Sequence, residues 1–327
     1  MEALWQEQLW LPGNKTWQDL KSHDDVQYPQ REEFYYTIVI GLIMLVIRIL
    51  IESFVFLPLG WITGWVKTPL IPRIFSHLFG GFAGRTKFKR VAECAYRFSY
   101  YLVIFITGWF VLRDQPQMAD IQDCWKNWPT QHVPDKVWWY YQIETGFYWG
   151  LLFSQLFFDI KRNDFLQMTL HHAVTIGLLW ISWSMNMVRV GTLILFSHDA
   201  ADILLEMGKL CRYAKWQKAL EGIFCVFIVV WTGTRLVYYP FWLVRSVFFD
   251  APKHVQQDYE WLNLSQQPII PRVLLVMLTS LVFLHIIWTI LILKIAKRSL
   301  GNEGEVADIR EDSESDEDED GNKKKKK

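Results

Sequence analysis

Apolar residues along the chain fall into blocks of about 20, the length of a helix that crosses the hydrocarbon core of a bilayer. Seven such blocks predict an all-α, polytopic membrane protein with seven transmembrane helices. The predicted spans are 36–58, 97–113, 138–158, 166–185, 190–207, 219–245 and 271–296. The fourth and fifth spans are separated by a few residues around Asn186, which predicts a tight antiparallel pair. We expect no cleavable signal peptide, because the first long apolar block begins near residue 36.

Positive charges alternate between the connecting segments and predict the orientation of the chain. Lys and Arg are dense in 67–90, 161–162 and 209–218, and sparser near 114–137 and 247–270. Because basic loops stay in the cytosol, the N-terminus is predicted to be lumenal and the C-terminus cytosolic. N-glycosylation sequons at Asn14 and Asn263 fall on the predicted lumenal side.

The residues from about 300 onward form a charged tail. The run EDSESDEDED at 311–320 precedes KKKKK at the end of the chain, and such composition predicts a disordered cytosolic segment. Ser313 and Ser315 are candidate phosphorylation sites or plain solvated serines. The terminal lysines fit a dilysine-type retrieval signal of the endoplasmic reticulum.

The acidic tail offsets the basic loops, so the formal net charge of zero says nothing about partners. Nucleic-acid binding is not predicted, because no basic stripe interleaved with aromatic residues occurs on a soluble domain. The four cysteines have no CxxC spacing, which argues against zinc or redox chemistry.

Polar side chains inside two adjacent predicted spans form the candidate site. The stretch TLHHAVTIGLLW at 169–180 carries His171 and His172 in an otherwise apolar run. The next span carries His198, Asp199, Asp202 and Glu206 at helical spacing. Because charged groups facing lipid are costly, these side chains are predicted to face the bundle interior.

The depths of the two sets match. His171 lies eight residues after Asn163, roughly 12 Å along a helix axis, and Asp202 lies seven residues before Lys209. A histidine beside a carboxylate is the unit of a general base or an activated nucleophile. A metal site is the second functional interpretation. We expect no metal, because the remaining histidines form none of the HxxxH or HxxHH boxes of membrane di-iron enzymes.

Two further features of the predicted spans are Arg235, which has two interpretations, and an aromatic run. Arg235, in TRLVYYPFW, either pairs with an acid to hold the bundle together or lines a substrate tunnel, and Pro240 is predicted to kink its helix. The aromatic run VWWYYQ at 137–142 suits a belt at the membrane interface.

Several spaced motifs resemble one family. FFDIKRNDFLQMTLHHAVT, RVGTLILFSHDAADILLEMGKL and TRLVYYPFW, with ECAYRFSYY upstream, are similar to the signature of the ceramide synthases, the sphingoid-base N-acyltransferases of the TLC-domain (longevity-assurance) family. The resemblance runs from about 90 to 298. It predicts a TLC catalytic domain at 90–298, preceded by a lumenal N-terminus at 1–35, a first span at 36–58 and a basic cytosolic loop at 59–89, with the tail at 299–327. The segment 60–95 is too short for the homeobox-like segment of some animal members.

The resemblance implies an enzyme of the endoplasmic reticulum that joins a fatty acyl-CoA to a long-chain sphingoid base, giving ceramide or dihydroceramide. No cofactor is implied beyond acyl-CoA as co-substrate; membrane lipid and a second copy or relative in a dimer are the other partners implied. The catalytic set carried over is His171, His172, Asp199 and Asp202, with His198, Glu206 and Arg235 as supporting residues. The loop before the last helix is associated with acyl length, and its candidates here are Phe249, Asp250, Ala251 and Pro252.

Chemistry is consistent with this reaction. No Ser or Cys lies in a recognisable nucleophile motif, so we expect one histidine, with His171 preferred, to attack the thioester. The alternative is direct attack by the amine with histidine as general base. Basic side chains on the cytosolic side are candidates for the CoA phosphates, or they merely set topology. They are Arg85, Lys87, Lys89, Arg90, Lys161, Arg162, Lys209 and Arg212.

Two other classes of function stay open on the sequence. A non-catalytic lipid-binding or chaperone member of the TLC superfamily shares the helical scaffold but has no need of the complete histidine and acid set. A seven-helix receptor or channel is the second alternative, although acids at one depth beside two histidines fit a reaction site better than a pore ring.

Overall fold

A computed structural model describes residues 5–23, 25–84, 86–161 and 163–300 of the chain. The principal helices of this part are α1 (Phe34–Ile51), α2 (Leu70–Leu78), α3 (Lys87–Leu112), α4 (Asp135–Phe157), α5 (Phe165–Ser184), α6 (Val188–Tyr213), α7 (Gln217–Trp231) and α8 (Ile270–Leu300). Short helical turns occur at Glu7–Trp10, Trp17–Leu20, Arg31–Glu33, Gly81–Ala83, Pro116–Ala119 and Ile121–Cys124. No β-strand occurs among the described residues.

The all-α polytopic membrane fold is confirmed. Four helical segments of the described chain are long and apolar enough to cross a membrane: Arg31–Ile62, Lys87–Leu112, Gln217–Val255 and Ile270–Arg298. Helices α4, α5 and α6 coincide with the other predicted spans and carry many of the polar side chains of the interior. The number of seven spans stays a prediction.

Two helices continue beyond their α-helical parts through π-helical stretches. Helix α1 extends through Glu52–Phe56 into Leu57–Ile62, and α7 extends through Thr232–Val244 into Arg245–Val255. Pro240 lies inside the second π-helical stretch, and the helix continues past it. The kink stays a prediction.

The bundle has two distinguishable ends. At one end, which we call the N-terminal end, the first residues pack onto the connections between helices: the Ile269 amide donates to the Leu9 carbonyl at 3.0 Å, and the Val133 amide donates to the Gln27 carbonyl at 2.9 Å. The other end, the basic end, carries α2, the connection 158–164 and the connection 214–216. Helix α5 therefore runs from the basic end to the N-terminal end, and α6 runs back.

The tight α5–α6 connection has a clear local cause. Asn186 adopts φ +54°, a left-handed conformation that asparagine tolerates well. Its side-chain amide donates to the Pro129 and Gln131 carbonyls at 2.6 and 2.7 Å. The turn is thereby locked to the preceding connection. The two helices are antiparallel as predicted, but α5 packs mainly on α4 and α8 and α6 mainly on α3 and α7, so their tight pairing is limited to the turn.

Helices α1 and α4 approach closely because glycines remove the side chains between them. A Cβ atom added at Gly41 would lie 2.7 Å from Trp149 Cβ and 2.8 Å from the Gly146 carbonyl oxygen. Gly146 and Gly150 form a small-xxx-small pattern on α4, which permits such backbone contact between membrane helices.

A buried charged network joins α1 to α3 and to the basic end. Arg48 Nε lies 2.8 Å from Glu52 Oε1, the pairing that their spacing of four residues on one helix predicts, and Arg48 Nη2 lies 2.9 Å from Asp159 Oδ1. Glu52 also pairs with His77 of α2 at 3.1 Å and with Lys89 of α3 at 3.3 Å. Residues preceding α3 are therefore fastened to the bundle by charge pairs in its interior.

Candidate active site

A cavity of about 240 Å³ lies at the basic end between α3, α4, α5, α6, α7 and α8. We call it the outer cavity. His171, His172 and Asp202 all line it, so the structure brings these three sequence-predicted residues together. Arg235 and Glu206 also line it.

A second, smaller cavity of about 50 Å³, the inner chamber, lies farther toward the N-terminal end. Its walls are mostly aliphatic side chains of α5, α6 and α8, such as Leu178, Ile194 and Leu278. His171 and Tyr148 line both cavities, so they stand at the junction of the two. The outer cavity, which carries the charged side chains, and the apolar chamber thus adjoin each other at His171 and Tyr148.

The two adjacent histidines have different surroundings. The His171 ring centre lies 5.2 Å from that of Trp288 and 5.6 Å from that of His172. His172 is 4% exposed and lines only the outer cavity, not the inner chamber. Nδ1 of each ring is buried and has no hydrogen-bond partner among the residues that the structure describes. Buried polar atoms left unpaired are unusual and suit groups that act on a substrate.

Arg235 organises the acids and histidines beside the cavity. Its Nη2 lies 3.0 Å from Asp202 Oδ2 and donates to the His198 carbonyl at 3.0 Å. Its Nη1 donates to His285 Nε2 at 3.4 Å. The sequence left two interpretations of Arg235, pairing with an acid and lining a tunnel. In the structure Arg235 pairs with Asp202 and also lines the outer cavity.

Of the remaining polar residues of α6, Glu206 shares the outer cavity with the histidine pair, whereas Asp199 and His198 do not line it. Asp199 is buried beside Glu144 of α4 and lines neither cavity, so it is not placed as a direct partner of His171 or His172. His198 donates from Nδ1 to the Ile194 carbonyl at 2.7 Å and lines the inner chamber. Glu206 pairs with Lys209 at 2.6 Å.

The basic candidates differ in access to the outer cavity. Lys209 and Arg212 line it, whereas Lys87 and Lys161 are exposed outside it and Arg90 is half-buried. Arg85 and Arg162 lie outside the described residues.

The structure corrects the prediction that Lys89 is a candidate for binding the CoA phosphates. This lysine is 2% exposed and pairs with Glu52 and Glu93 at 3.3 and 3.7 Å, so its charge is already used inside the bundle.

Four charged residues of the outer cavity were not predicted from the sequence: Glu93, Arg97, Asp159 and Asp164. Arg97 Nη2 lies 2.7 Å from Asp159 Oδ2. Burial opposes ionisation of Asp159, but Arg48 and Arg97 outweigh it and hold the pKa of this carboxyl well below its usual range. The available signal was the pair Glu93 and Arg97, four residues apart at the start of an apolar span.

The acyl-length candidates are helical, which corrects their placement in a loop. Phe249, Asp250, Ala251 and Pro252 belong to the extension Arg245–Val255 of α7, which buries Val247 and Asp250. None of the four lines either cavity. Packing of Val247 and Ala251 onto the apolar cluster that includes Leu274 and Leu278 explains why the helix continues.

The remaining predicted sites are placed as follows. Asn14 and Asn263 are both exposed at the N-terminal end. Ser313 and Ser315 lie outside the described residues. Among the described residues no group of three or more His, Cys, Asp or Glu side chains is arranged to hold a metal ion.

The curated relatives reported below are all ceramide synthases. The family model of the TLC domain matches residues 90–294. The chain is 44% identical over 306 residues to ceramide synthase hyl-2 of Caenorhabditis elegans, covering 93% of this chain and 91% of that protein. It is 40% identical to ceramide synthase hyl-1 of the same organism, covering 96% and 84% of the two chains. Identity to ceramide synthase 5 of Homo sapiens is 34%, covering 95% and 86%.

Proposed function

Because the chain belongs to the ceramide synthases of the TLC-domain family, we propose that it transfers a fatty acyl group from acyl-CoA to the amine of a sphingoid base. The products are ceramide or dihydroceramide and free CoA. We place the enzyme in the endoplasmic reticulum membrane, with the basic end and the tail in the cytosol and the N-terminal end in the lumen.

The position of His171 is the observation that carries this proposal. It stands where the outer cavity meets the inner chamber. A fatty acyl-CoA has a matching division, since its polar head cannot enter hydrocarbon and its tail is favourably buried among aliphatic side chains. With the tail in the inner chamber and the head at the basic end, the thioester carbonyl reaches the junction.

The reaction proceeds in two steps in this proposal. An imidazole nitrogen of His171 attacks the thioester carbonyl carbon, the carbon–sulfur bond breaks, and CoA leaves as a thiolate that takes up a proton. The neutral amine of the sphingoid base then attacks the acyl-imidazole, the amide bond forms, and the imidazole leaves. The second step needs the ammonium of the base to lose one proton first and the new amide to lose another.

The groups beside His171 suit that proton transfer. His172 and Asp202 line the same cavity and are the candidate acceptors. Arg235, 3.0 Å from Asp202, orients this carboxylate. Asp199 acts at most through neighbouring residues, because it lines neither cavity.

An acyl-transfer assay in membranes from cells that express the chain tests the function. Supplied with a long-chain base and a panel of acyl-CoAs, the membranes should form ceramide above those of matched cells without the chain. No ceramide with any donor, from folded and correctly located protein, would favour the non-catalytic lipid-binding alternative. Signalling or ion conductance without acyl transfer would favour a receptor or channel.

Rapid mixing with acyl-CoA alone tests the covalent step. Release of one equivalent of CoA before the base is added is expected. If CoA appears only after the base is added, the amine attacks the thioester directly and histidine acts as a general base.

The double substitution Lys209→Gln and Arg212→Gln is expected to raise KM for acyl-CoA about tenfold with little change in kcat. Both side chains line the outer cavity, but Lys209 is already paired with Glu206, so we expect the net loss of about one charge-assisted contact to phosphate, which costs about 1.4 kcal/mol. Initial rates at varied acyl-CoA concentration measure the effect. The matched control is Lys215→Gln, which is exposed and does not line the cavity. An equal rise in KM in the double variant and in Lys215→Gln would show that the basic end attracts acyl-CoA only through its overall positive charge.

A further inference from the structure

The inner chamber is closed toward the N-terminal end by side chains from four helices. Tyr141 of α4, Ser182 of α5 and Leu274 of α8 line it there, together with Val190 and Gly191 at the start of α6. Each of these residues lies within about two helical turns of the end of its helix that faces the N-terminal end of the bundle. They form what we call the chamber floor.

Tyr141 and Gly191 fit together at this floor. A Cβ atom added at Gly191 would lie 2.8 Å from Tyr141 Oη and 3.0 Å from Ser182 Oγ, so the tyrosine hydroxyl occupies space that only glycine leaves open. Tyr141 is 1% exposed, and its ring centre lies 5.4 Å from that of Trp183. The ring is therefore held in place by packing from behind and by the glycine in front.

The distance from the reacting group to the floor matches the length of a lipid tail. His171 and Ser182 line the same chamber and are separated by 11 residues of α5, roughly 16 Å along the helix axis. Half of a bilayer hydrocarbon core, which one lipid tail fills, is about 15 Å thick. An acyl chain with its carbonyl at His171 would end near Tyr141.

We propose that Tyr141 is a specificity-determining residue for acyl length, because its ring, seated against Gly191, stops the end of the acyl chain. This inference rests on the proposed function, in which the acyl tail enters the inner chamber. A donor too long for the chamber leaves its thioester short of His171, and a donor too short leaves apolar surface unburied.

Replacing Tyr141 with leucine should shift the preference toward longer donors. Membranes carrying the variant would receive a sphingoid base and pairs of saturated acyl-CoAs that differ by two methylenes, and ceramides would be quantified by mass spectrometry. Room for two more methylenes should raise the kcat/KM ratio of the longer donor over the shorter roughly tenfold. Leu274→Ala, which opens the floor from α8, should shift the ratio in the same direction and serves if Tyr141→Leu does not fold.

Phe147→Leu is the matched control. Phe147 is also a buried aromatic residue of α4, but it packs against Tyr100 and Tyr101 and lines neither cavity. In Phe147→Leu the kcat/KM ratio of the longer donor over the shorter donor should equal that of the unchanged protein. The inference is overturned if active Tyr141→Leu and Leu274→Ala proteins keep the ratio of the Phe147→Leu protein. Absence of ceramide from the unchanged protein with every donor would instead contradict the proposed function.

Discussion

Substituting His171 with alanine is expected to reduce ceramide formation by more than about 10⁴-fold and to abolish CoA release from acyl-CoA alone. Loss of a general base typically costs about 10² to 10⁴ in rate, whereas loss of a nucleophile removes the covalent route altogether. His172→Ala should lower the rate within that smaller range, because His172 lines the outer cavity but not the junction. Steady-state ceramide formation and single-turnover CoA release, measured on equal amounts of protein, separate the two roles.

His254→Ala is the control for this pair. His254 is exposed in the extension of α7 and lines neither cavity, so its substitution should leave both measurements unchanged. Ceramide formation by His171→Ala within tenfold of the unchanged protein would contradict an acyl-histidine intermediate. A burst of CoA in His171→Ala that is missing in His172→Ala would assign the nucleophile to the second histidine.

Arg48→Leu is expected to destabilise the protein by about 3–5 kcal/mol. Arg48 is 4% exposed and contacts Glu52, Ser154 and Asp159 within 3.0 Å, so its removal leaves carboxylates in the interior without their main cation. The midpoint of thermal unfolding in detergent should fall by about 10 °C. Static light scattering during heating would follow the transition.

An exposed ion pair provides the comparison for this substitution. Lys126 Nζ lies 2.5 Å from Asp123 Oδ1, but the lysine side chain is about half exposed. Such exposed pairs are screened by solvent and contribute little to stability, so Lys126→Leu should move the midpoint by at most a few degrees. Equal shifts in the two variants would mean that the Arg48 network adds no more to stability than a surface pair.

The sequence was sufficient for the parts of the site that follow from helix geometry. Residue spacing and depth predicted that His171, His172 and Asp202 would lie near one another, and the structure places all three on one cavity. The pairing of Arg48 with Glu52 follows in the same way, because four residues separate them on one helix face. These features depend on rise per residue and on the cost of exposing charge to lipid.

Features that depend on the rotation of one helix against another were not predictable. Asp199 is one helical turn from Asp202 yet faces Glu144 instead of the cavity. Tyr140 and Tyr141 suited an interfacial belt by composition but are buried inside the bundle, whereas Trp139 is exposed. Lys89 counted as a topology charge in the sequence, and only the positions of Glu52 and Glu93 show that its ammonium is buried among acids.

The Arg48 network also bears on where the folding unit begins. The TLC domain match starts at residue 90, but Glu93 and Asp159, within it, have Arg48 as a cation from α1, and Glu93 has Lys89 as well. A chain begun at residue 90 would bury these carboxylates with fewer counter-ions. The boundary of the family match therefore divides a single cooperative unit, and in hydrogen exchange α1 would open together with α3 and α4 and not ahead of them.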